Sequence, residues 1–294
     1  MRSIFVLLIN IISLFLFSYV QAEYGQYPNL PNSVDERFEQ ALERELRAEF
    51  GLEFWRTVEA KKTSIVVADI TDHHQPLVAA INGDEMMYAA SLPKIAILLG
   101  AFVQIEQGKM VLDGKTKTTL ATMIRNSSNP AATTILKQVG IANLAAILQS
   151  DRFRLYDPKF NGGLWVGKDY SGGPVWKRDP LHNISHGATA MQVARFYYLL
   201  ATDRLVSPQL CKEMREILSK PGNQHKFVKG LKDRPPAQIY RKSGTWKHFH
   251  SDSGIIVRDR HKYIVVALTE HPSGAEDLSR LIVAVDDMME RLRP

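Results

Sequence analysis

A stretch of twenty residues with a single charged member most constrains how this chain can fold. Between Met86 and Ile105 only Lys94 is charged, and most of the other residues are large and apolar. A segment that is hydrophobic on every side must be buried, so we expect a central helix that opens near Ser91. A lysine is rarely buried without a reason. Ser91 lies three positions earlier on the same helical face, and a desolvated Lys94 can take its proton. The pair therefore predicts a nucleophile.

The amino terminus has the composition of a secretory signal peptide. Arg2 precedes an apolar run from Ile4 to Val20, and small residues at Val20-Gln21-Ala22 precede a polar stretch. The competing interpretation is a permanent membrane anchor, because the run is just long enough to span a bilayer. We predict a signal peptide at residues 1–22 and a single domain at residues 23–294. The mature protein would be periplasmic or secreted, and only the signal peptide would contact the membrane.

Composition indicates a folded globular protein, since 45% of the residues are hydrophobic and 23% are charged. Cys211 is the one cysteine, which excludes an internal disulfide, so packing alone must hold the domain together. The formal net charge of +6 is spread too evenly for a nucleic-acid footprint. We therefore expect no nucleic-acid partner, and we expect a monomer.

Strand patterns occur near both ends of the chain and helical patterns lie between them. Alternating or apolar runs predict strands at residues 64–70 and 77–82, and again at 239–245, 253–257 and 263–269. The intervening chain predicts helices, and residues 275–292 predict a closing amphipathic helix. The fold class is therefore α+β. We expect one antiparallel sheet, built from both chain ends and packed with helices, beside an all-helical lobe.

Residues 157–180 predict a long loop rich in glycine and aromatic side chains. Loops of this length in compact domains are usually functional. Its aromatic residues are expected either to pin the loop to the core or to stack on sugar rings of a substrate. These residues are Trp165, Tyr170 and Trp176.

Two further motifs accompany Ser91 and Lys94. Asn126-Ser127-Ser128-Asn129-Pro130 offers a second hydroxyl and an amide at a helix start, and Lys242-Ser243-Gly244-Thr245 offers a second lysine on a strand. Ser-x-x-Lys, Ser-Asp-Asn and Lys-Thr-Gly in this order are the signature of class A β-lactamases and penicillin-binding proteins. From about residue 33 to residue 292 the chain resembles that family. The resemblance implies a β-lactamase-like catalytic domain and a serine hydrolase.

The resemblance implies catalytic roles for four residues. Ser91 would attack a carbonyl and become acylated, with Lys94 as its base or proton relay. Ser127 would pass a proton to the leaving nitrogen, and Lys242 would polarise that hydroxyl and attract a substrate carboxylate.

It also implies substrate-binding roles. Asn129 would hold the amide side chain of the substrate, and Gly244 would let the substrate approach the strand closely. The backbone N–H groups of Ser91 and Thr245 would form an oxyanion hole. The hydroxyls of Ser243 and Thr245 would bind the carboxylate.

The chain departs from the family pattern at one important place. Fast β-lactamases of this class use a loop glutamate to activate the deacylating water, but no glutamate occurs between Asn129 and Lys212. Asp157 and Asp169 do not match that pattern, and we expect Asp179 to pair with an arginine such as Arg152 or Arg154. The smaller departures are serines at positions 128 and 243, where the motifs have aspartate and threonine.

Three functions remain open from the sequence. The first is a β-lactamase-like hydrolase that forms an acyl-enzyme at Ser91 with β-lactams or related amides. The second is a DD-peptidase that acts on D-alanyl peptides of the cell wall, which the missing glutamate favours. The third is a catalytically degenerate protein that binds peptides or cell-wall fragments. His182 and His186 are spaced for metal binding but lack a flanking carboxylate, so we expect no metal and no other cofactor.

Overall fold

Strands from both ends of the chain form one antiparallel sheet. The computed structural model describes residues 27–292, so the predicted signal peptide lies outside the described residues. In chain order the strands of this region are β1 (Thr63–Asp69), β2 (Leu77–Ile81), β3 (Met87–Tyr88), β4 (Tyr156–Asp157), β5 (Gly162–Gly163), β6 (Trp165–Val166), β7 (His186–Ala188), β8 (Gln238–Trp246), β9 (Phe249–Val257) and β10 (Lys262–Glu270). The main sheet has the order β2-β1-β10-β9-β8. The predicted α+β class is confirmed.

Ten α-helices surround this sheet in the described part of the chain. They are α1 (Glu36–Glu49), α2 (Leu52–Glu59), α3 (Lys94–Glu106), α4 (Gly114–Arg125), α5 (Asn129–Val139), α6 (Ile141–Gln149), α7 (Ala190–Ala201), α8 (Pro208–Leu218), α9 (Phe227–Leu231) and α10 (Gly274–Leu292). No single helix among residues 27–292 is long and apolar enough to span a membrane. The bent pair α5 and α6 meets the length and composition criteria only when taken together.

The main sheet is covered on both faces, because alternate residues of a strand point to opposite sides. In β1, Val66 and Ala68 pack into a core with α3 and α7, whereas Ile65 and Val67 pack into a second core with α1 and α10. Both faces are apolar for this reason. The amphipathic helices near the two chain ends share the second core, and the helical lobe covers the first.

The central helix α3 is the apolar segment predicted from the sequence. Its residues 94–103 are all buried. The helix begins at Lys94, and Ser91 lies in the turn before it. Helices α4, α5 and α6 pack around α3, which places the chain after Asn126 beside the start of α3.

The loop over residues 157–180 is attached to the core by its aromatic and acidic side chains. Trp165 is buried and donates from Nε1 to Lys177 O at 3.0 Å. The predicted pairing of Asp179 with an arginine is wrong, because Arg154 pairs with Asp157 and Arg152 with Glu106. Asp179 instead accepts hydrogen bonds from the Tyr156 hydroxyl and from two backbone N–H groups of residues 181 and 182.

One buried carboxylate on α10 ties the helix to the sheet, and this generates a prediction. Asp286 is fully buried and accepts hydrogen bonds from Arg234, Arg258 and Tyr263. Replacing Asp286 with Asn leaves the buried guanidinium group of Arg258 without its countercharge, whereas Arg234 keeps Asp287 and Glu290. We expect the free energy of unfolding in urea to fall by about 3 kcal/mol.

The neighbouring Asp287 provides the matched control. It also contacts Arg234 but is 39% exposed, so Asp287→Asn should lower the free energy of unfolding by less than about 1 kcal/mol. Equal losses in the two variants would contradict the role given to Asp286.

Candidate active site

Ser91 lies at a strained point of the backbone in front of α3. The residue before it, Ala90, has φ of 51°, a left-handed conformation that residues other than glycine seldom adopt. Such strain is common at functional sites, where the surrounding structure fixes it. Ser91 itself is half-buried and lines a cavity of about 570 Å³. The hydroxyl is therefore held at the wall of a cavity large enough for a small molecule.

Lys94 links Ser91 to the helical lobe. Its side chain is fully buried, and Nζ lies 3.1 Å from Ser91 Oγ, 2.6 Å from Ser127 O and 2.7 Å from Asn129 Oδ1. Burial lowers the pKa of Lys94 to about 7. A neutral amine can donate to the two oxygens of residues 127 and 129 while it accepts the Ser91 proton. The three contacts thus fit a general base at neutral pH.

Ser127 and Lys242 form a second pair beside the first. Ser127 has φ of 56°, so it too lies at a strained position. Lys242 extends from β8 and is buried, with Nζ 2.9 Å from Ser127 Oγ and 2.5 Å from Ser243 O. Burial, together with the charge of Lys94, holds the pKa of Lys242 well below its usual value. Two hydroxyls and two amines therefore form one connected group.

Gly244 brings β8 against the Ser91 turn. A Cβ atom at this position would lie 2.3 Å from Ala89 O and 2.8 Å from Ser91 N, so only glycine fits without a backbone shift. Ser251 on β9 supports the same contact, since its Oγ donates to Ala89 O at 3.1 Å. Thr245, the next residue of β8, lines the cavity together with Ser91.

Three of the predicted site residues, Ser91, Asn129 and Thr245, line this cavity, and the group of Lys94, Ser127 and Lys242 adjoins Ser91. Asn129 lines the cavity at the start of α5, and Ser128 caps that helix by accepting from Ala131 N at 3.3 Å. Ser243 is buried on β8, and its carbonyl binds Lys242. The Thr245 hydroxyl is also engaged, because it accepts from Lys226 Nζ at 2.8 Å.

Lys226 is a residue that the sequence analysis missed. It is buried, and its Nζ also donates to Gly244 O at 2.6 Å and to Ser251 O at 3.0 Å. Burial lowers the pKa of Lys226 to about 8. It lies between a polar stretch and Phe227-Val228, and no motif marks its side chain as buried. Its place behind Thr245 adds positive charge to this end of β8.

Tyr170, which the sequence analysis named only as an aromatic residue of the loop, covers Lys94 from the side of the loop. Lys94 Nζ lies 4.5 Å from the centre of the Tyr170 ring. The hydroxyl donates to Ala90 O at 3.3 Å, and burial raises the pKa of Tyr170 well above its usual value. Behind it, the His186 ring lies 4.3 Å away, centre to centre. The aromatic loop thus contributes a side chain directly to the site.

The acids of the loop have other partners. Asp169 lines the cavity, but its Oδ1 accepts from the backbone N–H groups of Ser171 and Gly173 at 3.0 and 3.1 Å. Asp157 binds Arg154 and the backbone of residue 159. Neither carboxylate hydrogen-bonds to Ser91 or Lys94 within residues 27–292.

The histidines predicted to be spaced for metal binding make other contacts. Nε2 of His182 donates to oxygens of Asn161, and Nε2 of His186 donates to Lys168 O at 3.2 Å. Among the described residues, no three histidine, cysteine or acidic side chains are grouped so that they could hold a metal ion.

Comparison with protein families gives one match that spans most of the chain. The sequence model of the beta-lactamase enzyme family matches residues 41–122 and 115–287. No curated protein gives a significant match.

Solved structures with a similar fold include β-lactamases and penicillin-binding proteins. A beta-lactamase from Sphaerobacter thermophilus DSM 20745 is 16% identical with a TM-score of 0.66, over 87% of this chain and 98% of that one. PBP-A is 15% identical with a TM-score of 0.62, over 82% of this chain and 97% of that one. A class A beta-lactamase representing the last common ancestor of Gram-negative bacteria is 19% identical with a TM-score of 0.60, over 81% and 98%.

The titration of Lys94 provides a direct test of the site. In the protein labelled with ¹³C-lysine, one Nζ-linked carbon should titrate at about pH 7, against about 10.4 for an ordinary lysine. The signal should be absent from the Lys94→Met variant. Between about pH 7 and about pH 10 the unfolded chain binds this proton and the folded protein does not, so the burial of Lys94 costs stability at pH 7 and this cost disappears as the pH rises to about 10.

A Lys94 signal that titrates above pH 9 would contradict the assignment of this residue as a base. The free energy of unfolding should change differently with pH in the native protein and in Lys94→Met. If it changes equally in both between pH 7 and 10, the proton of Lys94 does not cause the pH dependence.

Proposed function

Because this chain belongs to the beta-lactamase enzyme family, we propose that Ser91 is acylated by β-lactams or by the D-alanyl-D-alanine amides that they resemble. The observation that carries the proposal is the contact of Lys94 Nζ with both Ser91 and the Ser127–Asn129 segment. A serine hydrolase related to β-lactamases and penicillin-binding proteins needs such a base beside its nucleophile. Export through the predicted signal peptide at residues 1–22 is part of the proposal.

Acylation begins with proton transfer from Ser91 Oγ to the neutral amine of Lys94. The Oγ electron pair attacks the carbonyl carbon of the substrate, and the carbonyl electrons move to oxygen. The backbone N–H groups of Ser91 and Thr245 are proposed to stabilise this oxyanion. The contact of β8 with the Ser91 turn, which Gly244 permits, supports this pairing of donors.

Expulsion of the leaving nitrogen requires a proton from the other side of the site. Ser127 Oγ is proposed to donate it as the carbon–nitrogen bond breaks and the oxyanion electrons re-form the carbonyl. The proton that Lys94 took from Ser91 then replaces the one that Ser127 gave up. Support comes from the 2.9 Å contact between Lys242 Nζ and Ser127 Oγ. The product is an ester of Ser91 and a free amine, which remains part of the same molecule when the substrate is a β-lactam.

The substrate carboxylate is proposed to bind at the end of β8. Ser243, Thr245 and Lys242 are the groups that the family resemblance implies, and Lys226 adds positive charge behind Thr245. Charge-assisted hydrogen bonds of this kind are roughly twice as strong as neutral ones. Asn129 is proposed to hold the amide on the acyl side of the substrate.

A DD-peptidase is the second candidate, and the position of Tyr170 favours it. Lys94 Nζ uses its three contacts for residues 91, 127 and 129, and the Tyr170 ring covers the side that faces the loop. A water molecule between Lys94 and the Ser91 ester is therefore disfavoured. No loop carboxylate within residues 27–292 hydrogen-bonds at this point to activate one. We infer that the acyl-enzyme is long-lived.

The central experiment follows the intact mass of the full-length chain incubated with benzylpenicillin. We expect a covalent adduct that persists and that is absent from Ser91→Ala. The matched control is Ser128→Ala, since Ser128 only caps α5, and its loss should reduce stability by about 1 kcal/mol without preventing the adduct. An adduct that still forms on Ser91→Ala would exclude Ser91 as the nucleophile. Saturable binding of benzylpenicillin without an adduct on the native protein or on Ser91→Ala would favour a catalytically degenerate binding protein.

The lifetime of the adduct tests the role of Tyr170. Tyr170→Ala removes the ring over Lys94 and should increase the hydrolysis of the penicilloyl-enzyme about tenfold, because water can reach the ester. Tyr170→Phe removes only the hydroxyl and should leave the lifetime unchanged. Intact mass over time measures both, with melting temperatures to show that each variant is folded. A lifetime that is the same in all three proteins would mean that Tyr170 does not exclude water.

A further inference from the structure

The cavity beside Ser91 has one apolar wall. The cavity extends from Ser91 between β8 and the loop that ends at β7, and aromatic side chains line one side of it. The rings of Tyr88 and Phe249 lie 5.2 Å apart, centre to centre, in an edge-to-face arrangement. Trp246, at the end of β8, is 56% exposed and continues the same wall. Such a wall suits an apolar or aromatic group of a bound molecule.

The loop contributes two cations to the lining of the same cavity. Lys168 and Arg178 line it, and neither forms a salt bridge with any residue between 27 and 292. Arg178 donates one hydrogen bond, from Nη1 to Asn183 O at 3.2 Å, which leaves its other donors for a ligand. Cations at the wall of a cleft attract anions more strongly than cations on an open surface.

The other titratable groups of the cavity do not cancel this charge. Asp169 is the one carboxylate in the lining, and its Oδ1 is bound to the backbone of its own loop. His186 is neutral at pH 7, because burial and the nearby charge of Lys168 lower its pKa to about 4.

We propose that this cavity selects substrates whose acyl portion carries a carboxylate beside an apolar group, with Lys168 and Arg178 binding the carboxylate. The proposal rests on the acylation of Ser91 proposed above. It concerns a second anionic group of the substrate. The first is the carboxylate at the β8 end, where Ser243, Thr245 and Lys226 lie; the second is on the loop side of Ser91.

Two penicillins that differ only by this group provide the test. Carbenicillin is benzylpenicillin with one additional carboxylate on the side-chain carbon. We expect the full-length protein to be acylated about fivefold faster by carbenicillin than by benzylpenicillin at low ionic strength, measured as the second-order rate constant by intact mass. The preference should decline in 0.5 M salt, because partly exposed charges are screened.

Single and double variants test whether Lys168 and Arg178 cause the preference for carbenicillin. Lys168→Gln and Arg178→Gln should each reduce the preference, and the double variant should abolish it, while the rate with benzylpenicillin stays the same. Lys177→Gln is the matched control, since Lys177 is exposed in the same loop but does not line the cavity. A preference that is absent from the native protein, or that survives in the double variant, would overturn the proposal. Failure of both penicillins to acylate the protein would instead overturn the proposed function.

Discussion

The burial of one lysine amine determines the arrangement of the site. Lys94 is removed from water in the first turn of an apolar helix, and burying a charge in this way is unfavourable unless hydrogen bonds compensate. Its partners come from the turn before α3 and from the segment that starts α5. The amine therefore holds Ser91, Ser127 and Asn129 at fixed distances. Burial of the Lys94 amine thus has two consequences: the pKa of Lys94 is lowered, and the positions of these three neighbours are fixed.

Much of the fold follows from patterns that the sequence displays locally. An apolar segment without a polar face predicts α3, and alternating strands at both chain ends predict the main sheet. The exact start of α3 and the short strands β3 to β7 were not predicted, since two or three residues carry no periodic signal. The partner of Asp179 was predicted wrongly. Its partner is the Tyr156 hydroxyl. Tyr156 lies close in sequence to Arg152 and Arg154, and tertiary packing decides which of the three reaches Asp179.

Some residues of the candidate site belong to sequence motifs, and others are recognised only by their contacts in the folded chain. Serine, lysine and glycine motifs mark Ser91, Lys94, Ser127 and Lys242, and the structure joins these residues by hydrogen bonds beside the cavity that Ser91 lines. Lys226 and Tyr170 carry no motif. Lys226 is recognisable only through the carbonyl groups of β8 and β9 that surround it, and Tyr170 only through the ring that covers Lys94. The sequence marked Tyr170 as an aromatic residue of the loop without indicating its contact with Lys94, and it did not mark Lys226.

The sheet built from both chain ends has a consequence for when reactivity appears during protein synthesis. Ser91 and Lys94 lie in the first half of the chain, whereas β8, which carries Lys242 and Gly244, pairs only with β9, and β10 joins them to β1. Long-range pairings of this kind form late in folding. A ribosome-bound chain that lacks its last strands thus has a serine with no second lysine and no strand against it. The group of Ser91, Lys94, Ser127 and Lys242 is therefore complete only when β8 has been synthesised and has paired with the rest of the sheet.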